Sequence, residues 1–240
     1  MKISPIVLLL LPLVSPAAEL VFAVSSGSAM PMTRFENNEL TGGMLKGVGD
    51  ALAGELRMTP RYMVVPRKRV ADPLFNGNAH ILCDLHPEWL PDPRLQWTKA
   101  IFTNQQVVAT LRATPPITRI TALAGKPVGT ILGYKYPELE SALGSNFVRD
   151  EATSDDINLA KLLRGRFEFM ATNGFYYDYQ RKTHPDGKSL SAKTYRVVTF
   201  DTYCAIPKEG AIRLARVDAA IAALHRRGTI QKIIQAYRPD

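Results

Sequence analysis

Two short clusters in this chain have residue types suited to chemistry. Arg67, Lys68 and Arg69 are adjacent cations directly after an apolar run. A guanidinium can hold a carboxylate through two parallel hydrogen bonds, a geometry lysine cannot copy. Further on, Asp84, His86, Glu88 and Trp89 share one segment. His86 and Glu88 have the types needed for proton transfer, and Trp89 offers a flat apolar face to a ring or to its own core. Ser25 and Met30 precede both clusters; Met30, like Met32, is adaptable wall material or loop packing. Gly133-Tyr134 falls at an expected strand-to-helix turn, where backbone N–H groups can take an anion. Asn173 and Tyr176 follow the apolar stretch "FEFMA". Thr153-Ser154-Asp155-Asp156 reads first as a helix N-cap region and second as a ligand contact.

What is missing narrows the chemistry. No two of His80, His86, His184 and His225 have metal-ligand spacing, and Cys83 and Cys204 lie in no Cys-x-x-Cys. There is no nucleophile elbow, no P-loop and no dinucleotide fingerprint. Binding without catalysis, cofactor or metal is therefore the expectation. A cleft enzyme using His86 and Glu88 is the alternative.

These residues need elements to bring them together. "LVFAVSS", "PRYMVV" and "AHILCDL" read as strands. Gly42-Gly43 opens a helix carrying Met44, Leu45, Val48, Ala51, Leu52 and Leu56 at helical spacing, and Pro66 opens a polar helix through Phe75. Strand–helix–strand–helix–strand predicts a parallel sheet with right-handed crossovers. Ligands of such sheets bind beyond the carboxyl ends of the strands. That places 25–31, 66–69 and 84–89 on one rim. "FTNQQVVATL" is a long extended run, and Pro115-Pro116 then breaks the chain. A second α/β series follows: strands at "KPVGTIL", "NFVRD" and "FEFMATN" and helices at 136–143, 154–163 and through Gln180. Strands "YRVVTF" and "TYCAIP" come next, and helices at 211–225 and 229–237 close the chain. The extended runs 102–111 and 197–206 are candidate crossings between two units, which makes the first unit discontinuous.

The N-terminus reads as a secretory signal. Lys2 precedes an apolar run from Ile6 to Leu13, and Ser15-Pro16-Ala17-Ala18 offers small residues for cleavage after Ala17. The run is shorter than the ~20 residues that a membrane-spanning helix needs, and no lipobox cysteine follows it. The expected division is 1–17 as signal, 18–106 with 201–240 as the first domain, and 107–200 as the second. In an oxidising compartment the two cysteines can form one bridge, and two buried free thiols fit equally well. The net charge is +8. The cations are mostly scattered, without the aromatic-interleaved basic stripe of nucleic-acid binders, so no nucleic-acid partner is expected.

The closing "YCAIPKEG" and "RRGTIQKIIQAY" resemble the C-terminus of the family 3 periplasmic solute-binding proteins, the capture subunits of polar amino-acid ABC transporters. "NNELTGGMLKGVGDALAGEL", "PLFNGNAHILCDL", "HPEWLPDPRLQWTKAIFTN", "ITALAGKPVGTILGYKYPELE" and "LAKLLRGRFEFMATN" resemble successive segments of that family, in register over nearly all of the mature chain. The resemblance implies a type II periplasmic binding protein fold: two α/β lobes, each with a parallel-core sheet, joined by two hinge crossings around a solute cleft. It implies a periplasmic, monomeric protein that closes on a small polar or anionic, amino-acid-like solute and delivers it to a membrane permease. It also implies that the strand returning from the second lobe lies beside strand three of the first, which puts Cys83 and Cys204 within bridging range. Some proteins of this fold are lyases acting on small cyclic acids, and others present ligands to sensors.

The departures are local. The family's "threonine, x, x, arginine" segment, whose arginine takes the ligand α-carboxylate, reads His86-Pro87-Glu88-Trp89 here. Where the family has an aspartate for the α-amino group, Glu168 and Asn173 are nearest. Arg67 and Arg69 stand as replacement cations. The ligand-binding set expected from sequence is thus Ser25, Met30, Arg67, Arg69, Asp84, His86, Trp89, Gly133, Tyr134, Asn173 and Tyr176, gripping a solute other than as a standard α-amino acid.

Overall fold

The computed structural model describes residues 18–238; the signal expected over residues 1–17 lies outside them. β1 (Glu19–Ser25), β4 (Thr59–Val65) and β5 (Ile81–Leu85) form the first parallel sheet, with β1 in the middle. β8 (Pro127–Ile131), β9 (Val148–Ala152) and β10 (Phe169–Asn173) form the second, with β8 in the middle. Between them run two long strands, β7 (Phe102–Ala109) and β11 (Tyr195–Pro207), paired antiparallel from Thr202↔Phe102 to Tyr195↔Val108. The full order is β4-β1-β5-β11-β7-β10-β8-β9. The runs read from sequence as two strands, "YRVVTF" and "TYCAIP", are one continuous strand, because the intervening Asp201 and Thr202 stay in the ladder opposite Thr103 and Phe102.

Each lobe is built the same way: a parallel trio, then an antiparallel strand that belongs to a crossing. Helix α1 (Met44–Glu55) starts at Gly43, whose φ of +99° and close approach to the Met32 carbonyl exclude a side chain. Its buried Met44, Val48 and Leu52 meet α6 (Leu214–Arg226) and α7 (Thr229–Ala236) in one core. The C-terminal helices therefore finish the first lobe, through Val217, Ile221, Leu224, Ile230 and Ile234. Tyr237 adds a tie, its hydroxyl accepting from the Gly43 N–H at 3.1 Å. In the second lobe, α3 (Pro137–Leu143), α4 (Asp155–Leu163) and α5 (Gly174–Thr183) cover the sheet.

Three short strands were not read from the sequence. β2 (Arg34–Glu36) and β3 (Glu39–Gly42) form a hairpin turned by Asn37 and Asn38, both at positive φ. β6 (Leu95–Trp97) pairs with the end of β11. The polar helix expected from Pro66 through Phe75 is instead a single 3-10 turn at Arg67–Arg69 and one turn of helix, α2 (Asp72–Phe75). Three consecutive cations in a first turn work against the helix dipole, and Pro73 cannot supply an interior N–H.

Candidate ligand-binding site

The two lobes are in contact and line between them a cavity of about 100 Å³, several times what one water requires. Gln180 donates to the Met30 carbonyl at 3.4 Å, and the Asp155 N–H donates to the Gly27 carbonyl at 3.3 Å, each across the cleft. The Arg67 guanidinium lies 4.9 Å from the centre of the Tyr134 ring, a cation–π distance.

Six of the eleven residues expected from sequence line the cavity: Ser25, Arg67, Asp84, Trp89, Tyr134 and Asn173. The rim logic accounts for them, since each lies at or just beyond the carboxyl end of a parallel strand. Asn173 spends its Oδ1 on the Tyr176 N–H at 2.8 Å as the cap of α5.

The other five lie outside the wall, each for a visible reason. Tyr176 is fully buried under α4, with its hydroxyl donating to Asp156 at 2.9 Å. Met30 meets the opposite lobe through its backbone carbonyl. Gly133, at φ +81°, packs against the first lobe, where an added Cβ would sit 2.8 Å from Lys68 Cγ. Arg69 is exposed at the end of the 3-10 turn. His86 packs between Trp89 and Tyr203, and its Nδ1 accepts from the Glu88 N–H at 3.4 Å. The His86–Glu88 pair is thus a turn beside the cavity.

Residues that were not in the sequence-derived set complete the wall. Asn104 and Gln106 come from the β7 crossing and Phe200 from β11; Phe22 and Tyr62 come from the first sheet; Thr172 and Asp155 come from the second lobe. Trp89 meets Phe200 edge-on, with ring centres 4.8 Å apart, so one end of the cavity is aromatic.

Asp84 owes its position to a defect in the sheet. Opposite β11, Leu85 faces Tyr203 while Leu82 faces Ala205, so β5 carries one extra residue. Asp84 is in the left-handed region at φ +63°, a conformation that Asp tolerates better than most residues. A bulge re-aims side chains, and this one turns a carboxylate toward the cavity. Cys83, next to it, is bridged to Cys204 on β11, with Cα atoms 3.9 Å apart. This is the bridge expected from the resemblance. It joins β5 to β11 within the first lobe.

Asp155 arrives differently. Ser154 caps α4 by accepting from the Ile157 N–H at 3.3 Å. That leaves Asp155, 3% exposed, to face Thr172, which donates to its Oδ1 at 2.9 Å. Neither Asp84 nor Asp155 has an ion-pair partner among the described residues. Burial pushes the Asp84 carboxyl up to about 7, with Arg67 pulling it down and Asp155 pushing it further up. Burial likewise raises Asp155 to about 7, the Thr172 hydrogen bond lowering it and neighbouring Asp156 raising it.

No protein-family model matches the sequence, and no curated protein matches it. Solved structures do. An ancestral arginine-binding protein bound to arginine superposes with a TM-score of 0.77 at 17% identity, over 92% of this chain and 99% of that one. The GluR0 ligand-binding core with L-glutamate gives 0.76 at 14% identity, over 94% and 100%. The ancestral amino acid-binding protein AncCDT-1, a precursor of cyclohexadienyl dehydratase, gives 0.76 at 16%, over 92% and 96%. With the sheet order and the two crossings, these matches establish that the chain has the two-lobed type II periplasmic binding protein fold.

Proposed function

We propose that this protein is an exported solute-binding protein, which closes its lobes on a small polar, amino-acid-like solute and hands it to an ABC-type permease. The observation that carries the reading is the cavity itself. It lies between the lobes, and its polar groups come from both: Ser25, Arg67 and Asp84 from one, Asp155, Thr172 and Asn173 from the other. A solute that touches both lobes at once favours the closed form by the sum of those contacts. Arg67 makes no ion pair of its own among the described residues and is the cation offered to an anionic group. Among the described residues no helix is long and apolar enough to cross a membrane. We take the apolar N-terminal run as a cleaved signal and the periplasm as the compartment, with the lobes divided near 106/107 and 200/201.

We read the cleft as one that binds without turnover, because no histidine among the described residues lines it and His86 is held in a turn beside the cavity. The named precursor of a dehydratase among the structural neighbours keeps a lyase as the second reading. Mass spectrometry of small molecules released on denaturing protein purified from its native compartment tests both. A solute recovered unchanged, which raises the melting temperature when added back, is the expected result. Conversion of the added solute to product would overturn capture in favour of the lyase.

A further inference from the structure

We infer that the loop after β1, residues 26–33, is a latch: it pegs the first lobe into the second, holds the cleft shut between captures, and must undock before a solute enters. The inference builds on the capture reading and adds a control to it. Connecting loops normally run over the surface, because a buried loop strands polar backbone groups. This one is buried from Gly27 through Thr33, with Met30 alone half-buried.

Its apolar residues divide between the lobes. Met32 belongs to the first-lobe core with Phe22, Val24 and Met44. Ala29, 7% exposed, belongs to the second-lobe core, whose other buried members all lie between Val107 and Leu190. There it joins Leu159 and Leu162 of α4 and Tyr176 and Tyr177 of α5. Two residues three positions apart are thus planted in different lobes.

The backbone divides the same way. The Ala29 carbonyl accepts from the Met32 and Thr33 N–H groups at 2.9 and 3.1 Å. The Pro31 and Met32 carbonyls accept from the Met44 and Leu45 N–H groups at 2.8 and 2.9 Å, which fastens the loop to the start of α1. The Gly27 and Met30 carbonyls are served from the second lobe instead, by the Asp155 N–H and the Gln180 side chain. Gly27 also marks a close approach, since a Cβ there would sit 3.2 Å from Ile131 Cγ2 and 3.3 Å from the Thr153 carbonyl oxygen. A peg built rigidly into one lobe loses little freedom when it docks into the other. Solute enters the open form, so the affinity it shows is its intrinsic affinity reduced by the open fraction. Ser28, between Gly27 and Ala29, lines the cavity. A solute that touches Ser28 therefore fastens the loop that covers it.

Ala29 meets the second lobe across the cleft, so a charge at that position is solvated once the lobes part. Ala29→Glu should open the protein rather than unfold it. The test is hydrogen exchange with X-ray scattering on the mature protein, stripped of solute by unfolding and refolding with its disulfide intact. The Asp155 amide is the reporter: as the first residue of α4 it has no acceptor within the helix, and its acceptor is the Gly27 carbonyl. Stripped wild type should be compact with this amide protected. Ala29→Glu should show a larger radius of gyration and exchange at Asp155 at least about tenfold faster, equivalent to about 1.4 kcal/mol, while the amides of β1 and β8 keep their protection. Gln180→Ala removes the donor to Met30 and leaves the peg intact. It should shift both readouts in the same direction by a smaller factor, and it decides alone should the Glu variant fail to fold.

The latch is overturned if stripped wild type already has the larger radius and the fast Asp155 amide, or if the variants stay as compact and as protected as wild type. Either result leaves solute capture standing. A stripped protein that is latched, but that no released or added solute stabilises, would sink the capture reading and leave the latch.

Discussion

Replacing Asp155 by Asn should stabilise the unliganded protein at pH 8 and leave it unchanged at pH 4. The carboxyl of Asp155 is raised by burial from the usual 3.8 to about 7. A group whose pKa is higher folded than unfolded favours the folded state while protonated. That contribution is complete below about pH 4 and is lost as the pH rises through about 7. Three units correspond to about 4 kcal/mol. Two effects reduce the figure. Asp155 is the first residue of α4, and a negative charge there regains about 0.3–1 kcal/mol from the helix dipole. Opening of the lobes also readmits water to the carboxylate. About 2–3 kcal/mol remains, or roughly 4–12 °C in melting temperature for a chain of this size. The Asn amide oxygen still accepts from Thr172, so the hydrogen bond at 2.9 Å survives. The assay is a melting series from pH 4 to pH 8 on ligand-stripped protein, wild type beside variant. The wild-type curve should fall across that range and the variant curve should flatten. A variant equal to or less stable than wild type at pH 8 would refute the claim that this carboxylate is held uncompensated.

Further outcomes follow from particular contacts. Gly43→Ala places a Cβ 2.5 Å from the Met32 carbonyl oxygen at φ +99°; it should cost about 2 kcal/mol or more by chemical denaturation, through left-handed strain plus the clash. Tyr136→Phe removes the hydroxyl that accepts from the Ile131 N–H at 2.9 Å and leaves that buried donor unmatched, a loss of about 1–3 kcal/mol. Changing Cys83 and Cys204 to Ser together should lower stability by up to about 5 kcal/mol, the loop-closure value for a separation of 121 residues. Intact mass before and after reduction with alkylation should report one bridge in the wild type. Free thiols in the folded, oxidised protein would contradict it.

Much of the fold was legible because the parallel strands are short apolar runs bounded by turn residues, and because α1 and α6 carry one apolar stripe each. Three rim segments, far apart in sequence, were placed together by topology alone, and Ser25, Arg67, Asp84 and Trp89 do meet there. The hairpin β2–β3 was missed because its strands are three and four residues long and mostly exposed; the Asn37-Asn38 pair was its one readable signal. Gln106 and Phe200 escaped because an extended crossing shows no preferred side until its neighbours are known. Asp155 was read with Ser154, first as part of a helix N-cap region and only second as a ligand contact. A capping motif explains both acidic residues after it well enough that nothing in the sequence asks which of them turns inward. The bulge at Asp84 is likewise invisible, since Asp at a positive φ leaves no compositional mark. His86, Tyr176 and Arg69 were expected on the wall because they lie two or three positions from residues that reach it, and in a turn that spacing points a side chain elsewhere.

The route of the chain through the crossings also orders its assembly. The second lobe is drawn from one unbroken stretch, while the first needs β11, α6 and α7 from the far end. As the chain emerges from its N-terminus, the second lobe can therefore be complete while the first still lacks its closing strand. Strands β1, β4 and β5, although they emerge first, must wait with the edge of β5 and the Cys83 thiol uncovered until Cys204 arrives. The oldest part of the chain in time is the last part to become a domain, and its finishing step is a covalent one.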